Sequence, residues 1–598
     1  MPDDSGGDRG RIARVVPSIP SFSVDTGFRY AIPERLVDVV SIGSMVRVPL
    51  AGRRIGGFVV AVEDGDRAAL KPIAAMSGKA PVFDNVMLEV LRWAANHYVA
   101  PLSVMLGRAA PPNVPPGPGT DHLDPIPDVG HHSPGAVAGG PGGGRTVVVL
   151  EGGDPSRWVA PLAASAAHRG KSTLVVVPTA QEAEQLATSL EVFGDRVVLV
   201  GGEMDDGEVT AAWGRSAHLG GVVVGTPRVA AWPVAELGVL VVVEDSRRAM
   251  KDRQTPTVHV RELLRTRALA THATLVCGGP TPSLEVMSRA PRVIEPAGRI
   301  WPLVEVVDRR DDPPGSGLLS ERVKHALRAT TGAGGTAFLF AHRRGYSAAS
   351  RCVACRELRR CAGCGSRPDP GETCRRCGAA LGPCPRCRGG RFEPLGAGVG
   401  RLVEETGRVL GRGRVVEHPG RTPVTVGTER DLAGLDLRDL VVLVDADGLV
   451  YGVDYRAGEE ALRVGARLAS RLRAGTGRRL MVQTHDPGHP VIVALRRGDP
   501  RPFIEHELGV RAALGYPPAG ELIVVEVRGA AIPAEVHSDL AAAAGRAMVL
   551  GPAEGGAGTR WLVQAPDLTR FRAAMRPVLQ RWRDAGLTVR VDVDPIDL

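Results

Sequence analysis

Eight of the nine cysteines lie between Cys352 and Cys387, in four C-x-x-C pairs: Cys352 and Cys355, Cys361 and Cys364, Cys374 and Cys377, Cys384 and Cys387. That spacing lets a tight turn aim two thiolates at one ion, so eight thiolates make two four-cysteine zinc sites. The pairs are separated by five, nine and six residues. Those intervals are too short for each hairpin to bury a core, so the metal has to supply the folding energy. A disulfide framework fits less well, because the amino terminus does not read as a signal peptide and a reducing cytosol leaves clustered thiols to metal. A redox C-x-x-C does not come fourfold, and hairpin pairs favour zinc over an iron–sulfur cluster. Spacing leaves two arrangements open: sequential pairing, or nested pairing in which the outer pairs share one ion.

With 598 residues and 43% hydrophobic content, the chain can bury several cores. The formal charge of +8 suits an anionic partner. It is concentrated from Arg351 to Arg391, where ten arginines face Glu357, Asp369 and Glu372. This predicts an arginine rim around the metal sites, fit for phosphate contact. No apolar run approaches the length of about 20 residues that a membrane span needs, so a soluble, cytoplasmic protein without a membrane partner is expected.

Residues 1–110 read as a small β-rich domain. It has β-like runs at Met45 to Pro49 and Gly57 to Val62, a basic turn at Leu50 to Arg54 and an amphipathic helix near Asp84 to Tyr98. From Pro111 to Arg145, 18 of 35 residues are Pro or Gly, which reads as a linker. Valine-rich runs then recur at Thr146 to Leu150, Thr173 to Val177, Val197 to Val200, Gly221 to Val224, Val239 to Val243 and Thr274 to Val276. Such runs fit parallel strands buried on both faces, giving an α/β lobe over 146–300. A second lobe is expected over 301–350 and 391–500, with strands at Thr336 to Phe340, Arg414 to Val416, Val424 to Val426, Leu440 to Val444 and Leu480 to Gln483. The cysteine module at 351–390 interrupts it, and 501–598 reads as an α+β domain. Cys277 ends an apolar strand and reads as a buried small hydrophobe. His131 and His132 read as a solvated turn, and Asp445 and Asp447 as residues that position a loop.

Several motifs carry a family resemblance. They are Phe28-Arg29-Tyr30, Val46-Arg47-Val48-Pro49, Trp93-Ala94-Ala95-Asn96-His97-Tyr98, Gly225-Thr226-Pro227-Arg228, His342-Arg343-Arg344-Gly345-Tyr346, Asp445-Ala446-Asp447-Gly448 and Val482-Gln483-Thr484-His485. Together with the eight-cysteine spacing, they resemble the primosomal protein N′ (PriA) family of replication restart proteins. The resemblance implies two RecA-like helicase lobes, a domain that binds the 3′ end of a nascent strand, and recognition of forked or branched DNA. It also implies work with primosome proteins, a helicase loader, the replicative helicase and the single-strand-binding protein. Phe28, Arg29, Gly52, Arg53 and Lys71 are the expected DNA-binding residues. Arg29 stands where the family has Asp, which is expected to shift binding towards phosphate. The family's winged helix has no counterpart in the linker.

Family members are ATP-dependent helicases, and here the motifs differ. Aligned on Gly152, the phosphate loop has Pro155 and Arg157 at inner glycines and Trp158 at the lysine. Gly170-Lys171-Ser172-Thr173 imitates the loop's ending but precedes a strand. The D-E-x-H box reads Val243-Glu244-Asp245-Ser246, keeping Glu244, and the arginine-finger motif keeps only Arg473. The expectation drawn from this degenerate nucleotide site is a DNA-binding scaffold that is not an enzyme and does not use ATP. An active 3′-5′ helicase and a zinc-dependent protein with another nucleic-acid target are the alternatives.

Overall fold

The structure is a computed structural model. It describes residues 9–598 except 120–122, 124–144, 291, 296–297, 314–315, 343–348, 356, 358, 364–367, 369–370, 375–377, 396–397, 433, 453, 530–531 and 556–557. His131, His132, Arg343 to Tyr346, Cys364 and Cys377 therefore lie outside the described residues. The chain forms two compact units. The first holds residues up to Val149, Asp154–Ile294 and Leu508–Ile596; the second holds Leu150–Gly153, Glu295–Glu507 and the last two residues.

In the first unit, a five-stranded antiparallel sheet runs in the order Phe28–Ala31, Arg9–Pro17, Arg53–Asp66, Met45–Leu50, Ala75–Met76. Its hairpin turns at Ala51 and Gly52, both with positive φ (46° and 76°), the backbone that a two-residue turn between right-twisted strands demands. The segment from Lys71 to Met76 bonds to both sheet edges, through Ala31 N–H to Lys71 O at 3.0 Å and through Ala75 paired with Arg47. The helix Asn85–His97 follows. Asp84 caps it by accepting the Met87 N–H at 2.7 Å, and its apolar face (Met87, Leu88, Val90, Leu91, Ala94, Ala95) is buried.

The first lobe is a seven-stranded parallel sheet ordered Arg292–Ile294, Thr146–Leu150, Thr274–Gly279, Leu237–Val243, Ser172–Val176, Val222–Gly225, Val197–Val200. Val241, Val242, Val175 and Val176 are fully buried, as strands covered on both faces must be. A four-stranded antiparallel sheet, ordered Met548–Gly555, Gly558–Ala565, Glu521–Arg528, Thr588–Val593, makes the carboxyl-terminal part. It belongs to the same compact unit as the amino-terminal sheet and first lobe.

Buried polar contacts fasten these three parts together. Tyr98 is fully buried, and its hydroxyl donates to His259 O at 3.3 Å and accepts the His259 N–H at 3.1 Å. Trp213 Nε1 donates to Ala109 O at 2.8 Å. Lys251, itself buried, donates to Asp592 Oδ1 at 2.5 Å, Val593 O at 2.7 Å and Asp594 O at 2.6 Å. His97 Nε2 lies 3.2 Å from Asp594 Oδ2. Burial alone would raise the Asp594 carboxyl, but the His97 bond and the Lys251 charge outweigh it and hold it below the ordinary range. Because the folded pKa is depressed, its contribution to stability is present above the ordinary aspartate range and fades as the pH falls below it.

The second unit holds the other RecA-like lobe, a six-stranded parallel sheet ordered Val304–Asp308, Arg479–Thr484, Leu440–Leu443, Ala337–Phe340, Val424–Gly427, Val415–Glu417. The strand Val304–Asp308 precedes the first strand expected for this lobe from sequence. The cysteine module leaves after Ala337–Phe340 and returns through the antiparallel pair Ala349–Cys352 and Phe392–Leu395. No helix among the described residues is long and apolar enough to cross a membrane.

Lys251→Ala strips Asp592 Oδ1 and the Val593 and Asp594 carbonyls of a buried donor, while Arg590 Nη2 stays on Asp592 Oδ2 at 2.8 Å, so urea unfolding of the first unit's transition should show a loss of about 2–3 kcal/mol. A change below about 1 kcal/mol would contradict the clamp.

Candidate metal centre and nucleic-acid interface

The sulfurs of Cys352, Cys355, Cys384 and Cys387 all lie within 4.8 Å of one another. The outer pairs therefore share one site, and the nested arrangement is the one the fold adopts. Cys352 and Cys387 Sγ are 3.4 Å apart, and Cys355 and Cys384 Sγ 3.5 Å. A tetrahedral thiolate site with metal–sulfur bonds of about 2.3 Å has sulfur–sulfur edges of about 3.8 Å, so the cluster fits a metal ion.

The hairpins that aim these sulfurs share one design. The Cys384 N–H donates to Gly389 O at 2.9 Å and the Arg388 N–H to Cys384 O at 2.8 Å, with Arg388 at φ 63°. One pair earlier, the Cys374 N–H donates to Ala379 O and the Gly378 N–H to Cys374 O, both at 2.8 Å, with Gly378 at φ 74°. The backbone N–H groups inside each turn act on the thiols: those of Cys355 and Ala354 pull Cys352 down to about 7, and those of Cys387 and Arg386 lower Cys384. The Glu357 N–H draws Cys355 down too, but burial and the neighbouring sulfurs push it up to about 12. Four thiolates need a cation at their centre before all can ionise together.

Arg359 is the hub of the module. It is buried, with Nη1 donating to Gly371 O at 2.8 Å and Nη2 to Leu381 O at 3.0 Å and Gly382 O at 3.1 Å, and its guanidinium lies 3.9 Å over the Phe392 ring. It is thus not part of the arginine rim expected from sequence. Arg360, Arg386, Arg388 and Arg391 are exposed and do form one.

In the amino-terminal domain, Phe28 is 39% exposed, and Tyr30 on the same strand face is buried with its hydroxyl donating to Pro49 O at 3.3 Å. The strand Phe28–Ala31, the Lys71 backbone and the Pro49 end of the hairpin thus come together, with the Lys71 and Arg53 side chains exposed and Gly52 at the tip. Arg29 points to the opposite face, where its Nε meets Glu63 Oε1 at 3.3 Å.

The loop between Thr146–Leu150 and the helix Ser156–His168 forms a strand–turn–helix frame. Gly152 packs tightly; a Cβ there would meet Ile300 O at 2.3 Å. Pro155 starts the helix, and Asp154 Oδ1 accepts the Ser156 N–H at 2.9 Å. Trp158 is buried in the lobe core beside Gly278, where a Cβ would meet the indole at 2.4 Å. Glu244, at φ 52°, ends the central strand, and its Oε2 accepts from Arg247 Nη1 at 3.1 Å. Arg473 Nη1 pairs with Asp439 Oδ2 at 3.0 Å in the other unit.

Sequence reasoning missed two features. Asp245 is buried and accepts the Ser283 N–H at 3.1 Å, the Ser283 hydroxyl, and Arg261 Nη1 at 3.3 Å; burial raises its carboxyl. A polar cavity of about 320 Å³ is lined by residues including Trp93, His97, Arg261, Arg289, Glu521 and Arg572. Arg572 is buried there, with Nη1 donating to Glu521 at 3.0 Å, and the cavity's four arginines face the carboxylates of Glu262, Glu285, Glu521 and Asp594. Only Trp93 and His97 carried a signal in the sequence.

Residues 14–111 match the family model of a 3′DNA-binding domain (3′BD). The replication restart protein PriA of Treponema pallidum is 26% identical over 96% of this chain and 98% of its own length. That of Bacillus subtilis is 24% identical over 71% of this chain and 60% of its own length. A solved structure of RecG bound to a three-way DNA junction aligns with a TM-score of 0.36 at 12% identity, covering 85% of this chain and 75% of that one.

These matches correct the expectation that the chain is not an enzyme. The similarity to the Treponema relative runs through both lobes, and the family it points to is one of ATP-dependent helicases. That expectation rests on side chains of the phosphate loop, the D-E-x-H box and the arginine-finger motif, whereas the strand–turn–helix frame and both parallel sheets are in place. Residues 14–111 thus match a 3′DNA-binding domain, and the chain as a whole is similar, nearly end to end, to a replication restart protein PriA.

Proposed function

We propose that this protein recognises stalled or abandoned replication forks and promotes primosome assembly and reloading of the replicative helicase, with its two lobes acting as an ATP-dependent DNA helicase. The observation that carries the reading is the match of residues 14–111 to a 3′DNA-binding domain, in a chain whose remaining length resembles replication restart proteins. Phe28 offers a ring face for a terminal base or sugar, and Lys71 and Arg53 offer phosphate contacts beside it. Exposed arginines around the cysteine cluster would add salt-sensitive affinity for the backbone. The module would hold two zinc ions per chain, one in the nested outer cluster and one on the inner pairs. Held by these cysteines, zinc would supply local folding energy to the module. The fork, the helicase loader, the replicative helicase and the single-strand-binding protein are the partners of this reading, and the cytoplasm its compartment.

Phe28→Ala and Lys71→Ala should each weaken binding to forks ending in a 3′-hydroxyl by about tenfold, an effect of about 1.4 kcal/mol, while leaving linear duplex binding within a factor of about two. Equal loss on both substrates would remove these residues from end recognition. The motor is tested by ATP hydrolysis with and without forked DNA: stimulation by the fork is expected, and a rate at background with saturating fork would overturn that part of the reading.

A further inference from the structure

We propose that Cys387 is a site of oxidation, and that its conversion to a disulfide with Cys352 expels the metal from the outer cluster. The proposal rests on reading that cluster as a metal site. Three observations carry it. Cys352 and Cys384 are buried and Cys355 partly so, whereas Cys387 is exposed. The exposed sulfur has a partner at 3.4 Å, Cys352 Sγ. The close approach also depends on Gly389, where a Cβ would stand 3.2 Å from Cys352 Sγ and 3.3 Å from Cys387 Sγ. One corner of the tetrahedron is therefore open to a small oxidant while the sulfur behind it is shielded. The exposed Arg386 and Arg388 flank that corner and favour departure of an anion from it.

With hydrogen peroxide as oxidant, the Cys387 thiolate attacks one peroxide oxygen. The O–O bond breaks, hydroxide leaves, and a sulfenic acid forms. The Cys352 thiolate then attacks the sulfenic sulfur and releases a second hydroxide as the disulfide closes. Two thiolates lose two electrons and one peroxide gains them. Two ligands are lost from the ion, and the remaining Cys355 and Cys384 do not make a closed four-ligand site.

The experiment begins with metal analysis of the untreated full-length chain, which tests the site itself: absence of bound zinc would overturn the metal reading before any oxidant is added. Zinc-loaded protein is then treated with peroxide while a chromogenic chelator follows release and peptide mapping reads the bonds. The expected result is release of one equivalent with a Cys352–Cys387 disulfide, reversed by thiol reductant and zinc. Cys387→His keeps a four-ligand zinc site of the three-cysteine, one-histidine kind and should slow release at least tenfold. Zinc retained under peroxide, or a disulfide confined to other cysteines, would overturn the oxidation proposal while leaving the metal site standing. Should the variant lose zinc on purification, mapping of the unsubstituted protein still decides.

Discussion

Lys251 holds the first unit together. Its ammonium is out of water, and all three of its donors are spent on the end of one strand, at Asp592, Val593 and Asp594. A buried lysine survives only with such complete pairing. The consequence is geometric: the carboxyl-terminal sheet is fixed to the first lobe, and through Asp594 and His97 it is fixed to the helix that carries Trp93 and leads into Tyr98. Arg576 adds a second tie, with its Nη1 donating to Asn96 Oδ1 at 2.9 Å and its Nη2 paired with Asp25. The domain that matches the 3′DNA-binding model, seated on such a base, keeps its orientation to the lobe beside it.

The cysteine module is organised by a different force. Its described residues include few large apolar side chains, so the order within it comes from hairpin hydrogen bonds, the Arg359 hub and the shared sulfur site. Inserted as a loop in the second lobe, it leaves that lobe's parallel sheet unbroken. Leu339 and Phe340 before the insertion, and Val424 and Val426 after it, all stay buried in one sheet.

How much of this was legible follows from the range of each signal. The valine runs marked most of both parallel sheets, because burial on two faces leaves a continuous apolar record in the chain. The strand Arg9–Pro17 was missed because arginines recur through it, Arg292–Ile294 because it is short, and Val304–Asp308 because Glu305 and Asp308 break its apolar run. Spacing could show that cysteines pair but not which pairs meet, since that depends on how the module closes on itself. Arg359 looked like its solvated neighbours, and only tertiary packing sets it over Phe392. The Lys251 clamp joins residues 341 positions apart, where no local pattern reaches. The nucleotide-site motifs were the place where local reading misled: substitutions at single positions outweighed a similarity to the Treponema relative that runs through both lobes.

The measurement that tests the central claim most directly is equilibrium binding of the zinc-loaded chain to a forked DNA with a 3′-hydroxyl at the branch, against linear duplex of equal length and salt. The account predicts at least a tenfold preference for the fork that persists as salt is raised, because end recognition does not depend on phosphate count alone. Equal affinity for the two, falling in parallel with salt, would contradict it.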